Sequence, residues 1–167
     1  IAPMLAFTAE EIWQAMPHSA ADNKTSVYLN DLPTPSPEYE FDGAEKWEQL
    51  FDLRDDIMKA LELARAEKRI GKSLDAKVTV YTSEPDILKL LGEFTEAELA
   101  TVFITSGAHV VNGEAPEGAF KPDDGKQIGV LVEPADGEKC DRCWGYSTHG
   151  EKTEEGFICD RCKKILG

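Results

Sequence analysis

Hydrophobic residues recur at intervals of three and four along residues 44–70, and this spacing predicts the longest helix of the chain. The apolar positions of the pattern are Trp47, Leu50, Phe51, Ile57, Met58, Leu61 and Ala64. Gly71 is expected to end the helix, because glycine readily adopts the left-handed conformation that follows many helix ends. We expect Trp13, Trp47 and Phe51 to lie in the hydrophobic core.

A shorter helical pattern opens the chain and is followed by a proline-rich stretch. Thr8 is expected to cap this first helix, with Glu11 three residues later as its capping-box partner. The helix is expected to stop at Pro17, which cannot continue a helix without losing a backbone hydrogen bond. Residues 17–43 are typical of an extended connector, with a short strand-like segment at 26–29.

Residues after the long helix change to a pattern of short apolar runs separated by turns. Strands are predicted at 76–81, 102–105, 109–111 and 127–133. Pro85 is expected to begin a helix that runs through Phe94, because proline is favoured in the first turn. This mixture predicts a small α/β unit.

Four cysteines close the sequence as two pairs separated by fifteen residues. They are Cys140, Cys143, Cys159 and Cys162. The spacing C-x2-C-x15-C-x2-C is typical of a tetrahedral zinc site with four cysteine ligands, because two thiolates in one tight turn can hold one side of the ion. Tyr146, Phe157 and Ile158 are expected to form the minimal core of a small ribbon around it.

The predicted cofactor is one structural zinc ion per chain. Four thiolates leave no open position for a water molecule, which argues against a catalytic metal. Iron could occupy the same four sulfur atoms, and two disulfides are a further alternative.

Paired cysteines without a leader segment or an apolar span favour a reducing, cytoplasmic setting and no membrane association.

The predicted fold class is therefore α+β in several parts. A helical segment with the long helix occupies 1–70, a small α/β unit occupies 71–136, and a C-terminal four-cysteine zinc ribbon occupies 137–167. We find no glycine-rich phosphate loop, serine elbow or HExxH motif that would indicate catalysis.

Charge is distributed unevenly over these parts. The net charge is −14, which argues against nonspecific binding of nucleic acid. Residues 137–167 hold six basic and six acidic side chains, whereas 1–136 hold twelve basic and 26 acidic ones. Half of those twelve positive charges lie in 59–77, which makes that stretch locally basic. Any contact with nucleic acid is therefore expected on these two less acidic segments.

Three stretches together resemble one family of enzymes. Ala2-Pro-Met-Leu-Ala-Phe-Thr-Ala-Glu-Glu-Ile-Trp13 resembles the start of the last helix in the anticodon-binding region of class I aminoacyl-tRNA synthetases for isoleucine, valine and leucine. Ala64-Arg-Ala-Glu-Lys-Arg-Ile-Gly-Lys-Ser-Leu-Asp-Ala76 resembles that family's R-x-x-K-x-I-G-x-S-L-x-A segment. Cys140-Asp-Arg-Cys-Trp144, with Cys159-Asp-Arg-Cys162, resembles the C-terminal zinc finger of bacterial isoleucyl-tRNA synthetases.

The resemblance implies a role in recognising isoleucine tRNA at its anticodon, in a parent enzyme that uses ATP to charge that tRNA with isoleucine. The nucleotide-binding HIGH and KMSKS motifs and an editing domain are absent from the sequence. The rest of the synthetase chain is therefore an expected partner. We expect a monomer that does not activate isoleucine by itself.

Six side chains are candidates for contact with tRNA. They are Arg65, Lys68, Arg69, Lys72, Arg142 and Trp144. The four basic residues at 65–72 fall at helical spacing and could follow phosphates, although cations are also favoured at a helix end. Trp144 could stack on an unpaired anticodon base, or it could pack over the zinc knuckle.

Two other classes of function remain open from the sequence. A similar finger closes some DNA glycosylases, so the chain could contain a zinc finger that binds duplex DNA. The strongly acidic composition also keeps open a structural or protein-interaction module in which zinc serves stability alone. The acidic helical part and the Arg65–Ala76 segment argue against the glycosylase alternative.

Overall fold

The computed structural model describes residues 1–40, 42–123, 125–154 and 156–166 of the chain. They belong to two compact units, Ile1–Asp42 and Gly43–Gly167. Helices and small sheets confirm the α+β fold class. The division into three parts at 70 and 136 stays a prediction about domain boundaries. No helix among the described residues is long and apolar enough to cross a membrane.

The first unit contains helix α1, Ala6–Ala15, and two short 3-10 helices, Val27–Leu29 and Pro37–Tyr39. The predicted Thr8 cap is wrong, because the helix begins at Ala6 and leaves Thr8 inside its first turn. The predicted strand at 26–29 is also wrong. The Ser26 hydroxyl accepts the N–H of Tyr28 at 3.2 Å, and this cap favours a helical turn.

The second unit begins with the long helix α2, Ala44–Ala66. Its end differs from the prediction, because Lys68 rather than Gly71 has the left-handed backbone, with φ of 58°. The N–H of Lys68 donates to the carbonyl of Arg65 at 3.0 Å, and the N–H of Arg69 donates to Ala64 at 2.9 Å. This pair of bonds is a Schellman motif with lysine in the position that glycine usually holds.

A three-stranded sheet packs against α2. Its strands are β1 (Ala76–Thr82), β2 (Gly107–Asn112) and β3 (Ile128–Pro134), in the order β2–β1–β3. The central strand β1 runs parallel to β2 and antiparallel to β3. These strands confirm three of the four predicted ones. Fully buried side chains from the sheet and helices form the core; the largest are Phe103, Leu50, Ile57, Leu61, Leu91 and Leu99.

Helices α3 (Pro85–Gly92) and α4 (Glu96–Phe103) connect β1 to β2. Pro85 begins α3 as predicted. The predicted strand at 102–105 is wrong, because a capping box of Thr95 and Glu98 starts α4, which continues to Phe103. Phe51 of α2 is also not in the core, since 52% of its surface is exposed, whereas Trp47 packs against the core edge.

The C-terminal ribbon contains two small hairpins and a terminal helix. The hairpins pair β4 (Glu138–Lys139) with β5 (Tyr146–Ser147), and β6 (Gly150–Thr153) with β7 (Gly156–Cys159). Helix α5 covers Asp160–Leu166. Phe157 packs with the cysteines as predicted and Ile158 packs against them, but Tyr146 is only half-buried and lies outside this cluster.

Candidate metal centre and nucleic-acid interface

The four cysteine sulfur atoms converge at one point of the ribbon. They all lie within 4.8 Å of one another, and none of these cysteines forms a disulfide. The sulfur atoms of Cys143 and Cys159 are 3.8 Å apart. Four sulfur atoms bound to one zinc ion at about 2.3 Å form a tetrahedron whose sulfur atoms are about 3.8 Å apart. The distance between the sulfur atoms of Cys143 and Cys159 already matches this value.

Backbone hydrogen bonds build the first cysteine turn and join it to the second hairpin. The N–H of Trp144 donates to the carbonyl of Cys140 at 2.8 Å, which closes the turn. The carboxylate of Asp141 accepts the N–H of Phe157 at 2.9 Å. A Cβ at Gly156 would lie 2.0 Å from that carboxylate, so only glycine fits the approach. These contacts fix the first cysteine turn against the hairpin that leads to the second cysteine pair.

The thiols have opposed electrostatic environments. Burial raises the pKa of Cys140, but backbone N–H groups, first that of Cys159, outweigh burial and lower the pKa to about 6. Burial raises the pKa of Cys159 to about 12, and the neighbouring thiols add to this effect. A divalent cation would remove this conflict, because it compensates the charge of all the thiolates. The donor set and its spacing fit zinc.

Two of the predicted tRNA-contacting side chains lie together beside this centre. The ammonium nitrogen of Lys72 is 5.8 Å from the ring centroid of Trp144, which is a cation–π distance. Trp144 is 60% exposed. Trp144 has φ of 65°, a left-handed conformation that is costly for a bulky side chain. Trp144 therefore does not pack over the zinc knuckle as a buried residue.

Arg65 and Arg69 make hydrogen bonds within the protein. Arg65 donates to the carbonyl of Gly71 and to the hydroxyl of Ser73, each at 3.2 Å, and pairs with a glutamate one turn earlier. Arg69 donates to the carbonyl of Val132 at 2.7 Å and so ties the end of α2 to β3. These guanidinium groups are therefore used to shape the surface.

Lys68 and Arg142, unlike Arg65 and Arg69, have side chains that are not engaged within the described part of the protein. Both side chains are exposed, and the structure gives neither of them an ion pair or side-chain hydrogen bond among the described residues. Lys68 projects from the left-handed end of α2, and Arg142 projects from the first cysteine turn. Both are available to an external anion.

Residues 71–75 form a tightly held loop that joins α2 to the sheet and includes the short 3-10 helix Ser73–Asp75. The carboxylate of Asp75 accepts the N–H of Lys72 at 2.7 Å. A Cβ at Gly71 would lie 2.9 Å from that carboxylate, which accounts for glycine there. The carbonyl of Leu74 accepts the hydroxyl of Ser106 at 2.6 Å. The loop therefore presents Lys72 from a fixed backbone.

Ser106 and Tyr146 contribute to this surface although the sequence did not single them out as site residues. The hydroxyl of Ser106 accepts the N–H of Tyr146 at 2.7 Å while it donates to the 71–75 loop. One serine thus connects the ribbon to the α/β core. Tyr146 lines a groove together with Arg65, Lys68 and Arg69. No local sequence signal marks Ser106, because its partners are 32 and 40 residues away.

Two known sequence families match this chain. Residues 1–80 match the anticodon-binding domain of tRNA ligases. Residues 137–165 match the zinc finger found in FPG and IleRS. The second match covers all four clustered cysteines, and it favours a structural zinc ion over iron or disulfides.

Relatives match nearly the whole chain. An isoleucine–tRNA ligase of Thermoanaerobacter sp. (strain X514) is 43% identical over 164 residues, and one of Caldanaerobacter subterraneus subsp. tengcongensis is 47% identical over 168. An isoleucine–tRNA ligase of Geobacter sulfurreducens is 40% identical over 165 residues. Each match covers 97% of this chain and 17% of the relative, so the chain spans about a sixth of the length of these proteins.

Proposed function

We infer that this chain, which corresponds in sequence to the C-terminal region of isoleucine–tRNA ligases, recognises a transfer RNA at its anticodon region. Isoleucine tRNA is the proposed partner, and Trp144 is the proposed stacking surface for one unpaired base. The observation that carries the proposal is the exposed indole of Trp144 beside the ammonium of Lys72. Single-stranded RNA is commonly bound by stacking bases on aromatic side chains near positive charge.

Backbone strain supports a functional role for Trp144, whereas the left-handed backbone of Lys68 belongs to the Schellman motif that ends α2. Lys68 and Trp144 both have left-handed backbones, where glycine would avoid the steric cost of a Cβ. Neither side chain is buried, so packing does not compensate this cost. Such strain occurs often at binding sites, where the side chain is needed for contact.

The charge distribution restricts where RNA can approach. A net charge of −14 repels phosphates from most of the surface. We propose that Lys68 and Arg142 face the RNA, and that Lys72 lies beside them at the ring of Trp144. Arg65 and Arg69 belong to the same surface, but their internal hydrogen bonds indicate that they act mainly by shaping it.

The proposed zinc ligands are Cys140, Cys143, Cys159 and Cys162. The ion would supply the folding free energy that the small ribbon core lacks. Its role in RNA recognition is therefore indirect, because it fixes the turn from which Arg142 and Trp144 project.

We propose that the rest of a longer ligase chain provides ATP-dependent charging with isoleucine, and that this region provides tRNA recognition. A cytoplasmic monomer is part of this proposal. The same finger family includes FPG proteins, but the match over 1–80 to a tRNA-ligase domain favours RNA over duplex DNA.

Equilibrium binding of two fluorescent probes tests the proposal. The zinc-loaded chain should bind the anticodon stem-loop of isoleucine tRNA more tightly than a DNA duplex of similar length. Trp144→Ala should weaken RNA binding by about 1–3 kcal/mol. Ile165→Ala is the matched control, because Ile165 is an exposed apolar residue elsewhere in the ribbon. Tighter binding of the duplex, or unchanged RNA binding by a zinc-loaded Trp144→Ala protein, would refute the proposal.

A further inference from the structure

Hydrogen bonds from three parts of the protein hold the loop at 71–75 in place. Arg65 binds Gly71 and Ser73, Ser106 binds Leu74, and Asp75 binds the backbone of Lys72. The side chain of Lys72 makes no hydrogen bond or ion pair among the described residues, and its ammonium lies over the ring of Trp144. The backbone of Lys72 is therefore fixed, while its flexible side chain places the ammonium over the ring of Trp144.

The backbone of Trp144 is also fixed. Its N–H donates to Cys140, and the following Gly145 accepts the N–H of Cys140, each at 2.8 Å. Trp144 is, by contrast, 60% exposed, so its side chain is not fixed by burial. The contact with Lys72 comes from a different part of the chain and limits the directions in which the ring can turn.

We propose that Lys72 is a positioning residue for Trp144. Its ammonium occupies one face of the indole and holds the ring in place, so that the opposite face is left to stack on a single unpaired base. This inference rests on the proposed function of Trp144 and goes beyond it, because it assigns Lys72 to the orientation of the ring rather than to a phosphate.

The two roles of Lys72 predict different salt dependences. A lysine that neutralises a phosphate contributes about one unit to the slope of log K against log salt, because a counterion is released on binding. A lysine that faces an aromatic ring keeps its partner in both the free and bound protein, so its removal lowers affinity without changing the slope. Its cation–π contribution at an exposed site corresponds to about a two- to fivefold change in affinity.

The test uses the zinc-loaded chain labelled with 5-fluorotryptophan and the anticodon stem-loop of isoleucine tRNA as the probe. Lys72→Met removes the charge at similar length, Lys72→Arg keeps a cation, and Lys68→Met is the matched control. Fluorine NMR of the Trp144 resonance, assigned with Trp144→Phe, reports ring mobility in the free protein. RNA affinity is measured over a series of salt concentrations.

We expect Lys72→Met to weaken binding about two- to fivefold at every salt concentration and to increase the mobility of the Trp144 ring, and Lys72→Arg to restore both. Lys68→Met should lower the salt slope and leave the ring unchanged. A slope lowered by about one unit in Lys72→Met, or an unchanged ring signal, would overturn the proposal. If Trp144→Ala retains full RNA affinity while Lys72→Met still mobilises the ring, the stacking function fails but the positioning contact stands.

Discussion

The ammonium nitrogen of Lys72 lies 5.8 Å from the ring centroid of Trp144, although the two residues are 72 positions apart in the chain. This contact joins the loop after the long helix to the turn that carries the first cysteine pair. The locally basic segment and the zinc ribbon therefore contribute to one surface. The surface is small, partly aromatic and less acidic than the rest of the chain.

The left-handed backbone of Trp144 predicts a conflict between stability and binding. Trp144→Gly should raise the free energy of unfolding by about 1 kcal/mol relative to Trp144→Ala, because only glycine avoids the Cβ clash at φ of 65°. Both variants should bind the anticodon stem-loop weakly. Chemical denaturation of zinc-loaded protein measures the first effect, and equal stability of the two variants would contradict it.

Lys68 and Arg69 are neighbours with different expected roles. Lys68→Ala should reduce the salt slope of RNA binding by about one unit and leave stability unchanged or slightly higher. Arg69→Ala should lower stability by about 1 kcal/mol, because the carbonyl of buried Val132 loses its donor. Thermal unfolding and salt titration of both variants separate the roles. The assignment is wrong if the two variants give the same pair of results.

Removal of zinc should unfold the ribbon and leave the core intact. The ribbon core contains Phe157 and the cysteines, with Ile158 packed against it, so without metal it has too little apolar surface to stay folded. The core on α2 and the sheet contains no cysteine. A chelator or Cys159→Ser should abolish amide protection in 137–166 while the far-UV helical signal of α2 persists. Loss of that helical signal would contradict this account.

Ser106 should be needed to hold the ribbon against the core. Ser106→Ala removes the partner of the Leu74 carbonyl and of the Tyr146 N–H, and should cost about 1–3 kcal/mol. Ser147→Ala is the control, because in the described part of the chain the Ser147 hydroxyl bonds only within the ribbon, to His149. Hydrogen exchange at the Tyr146 amide should become faster in the first variant only. Equal exchange in both would show that the hydroxyl of Ser106 is dispensable.

The sequence predicted the features that depend on local spacing. The cysteine pairs, the long helix, the start of α3 and three strands follow from short-range patterns, and the structure contains them. The errors arise where two local signals compete. The apolar residues at 102–105 resemble a strand. The capping box of Thr95 and Glu98 instead favours a helix that begins at Glu96 and extends to Phe103.

Long-range pairings could not be predicted. Asp56 is one of many carboxylates in an acidic sequence, yet it is 1% exposed and binds Lys126 at 2.7 Å across 70 residues. Its helical spacing from Leu53 and Ala60 places it on the buried face of α2, but no local signal identifies Lys126 as its partner. The contact of Lys72 with Trp144 and the bridge made by Ser106 are of the same kind. They depend on how the ribbon docks on the core, which no local pattern encodes.

The most direct test of the central claim is a double-mutant cycle between Trp144 and the RNA. Binding of wild-type and Trp144→Ala protein is measured to the isoleucine tRNA anticodon stem-loop and to versions with one anticodon base removed at a time. We predict a coupling energy of about 1–3 kcal/mol at a single abasic position and additivity at the others. Additive losses at every position would contradict the claim that Trp144 stacks on an unpaired base.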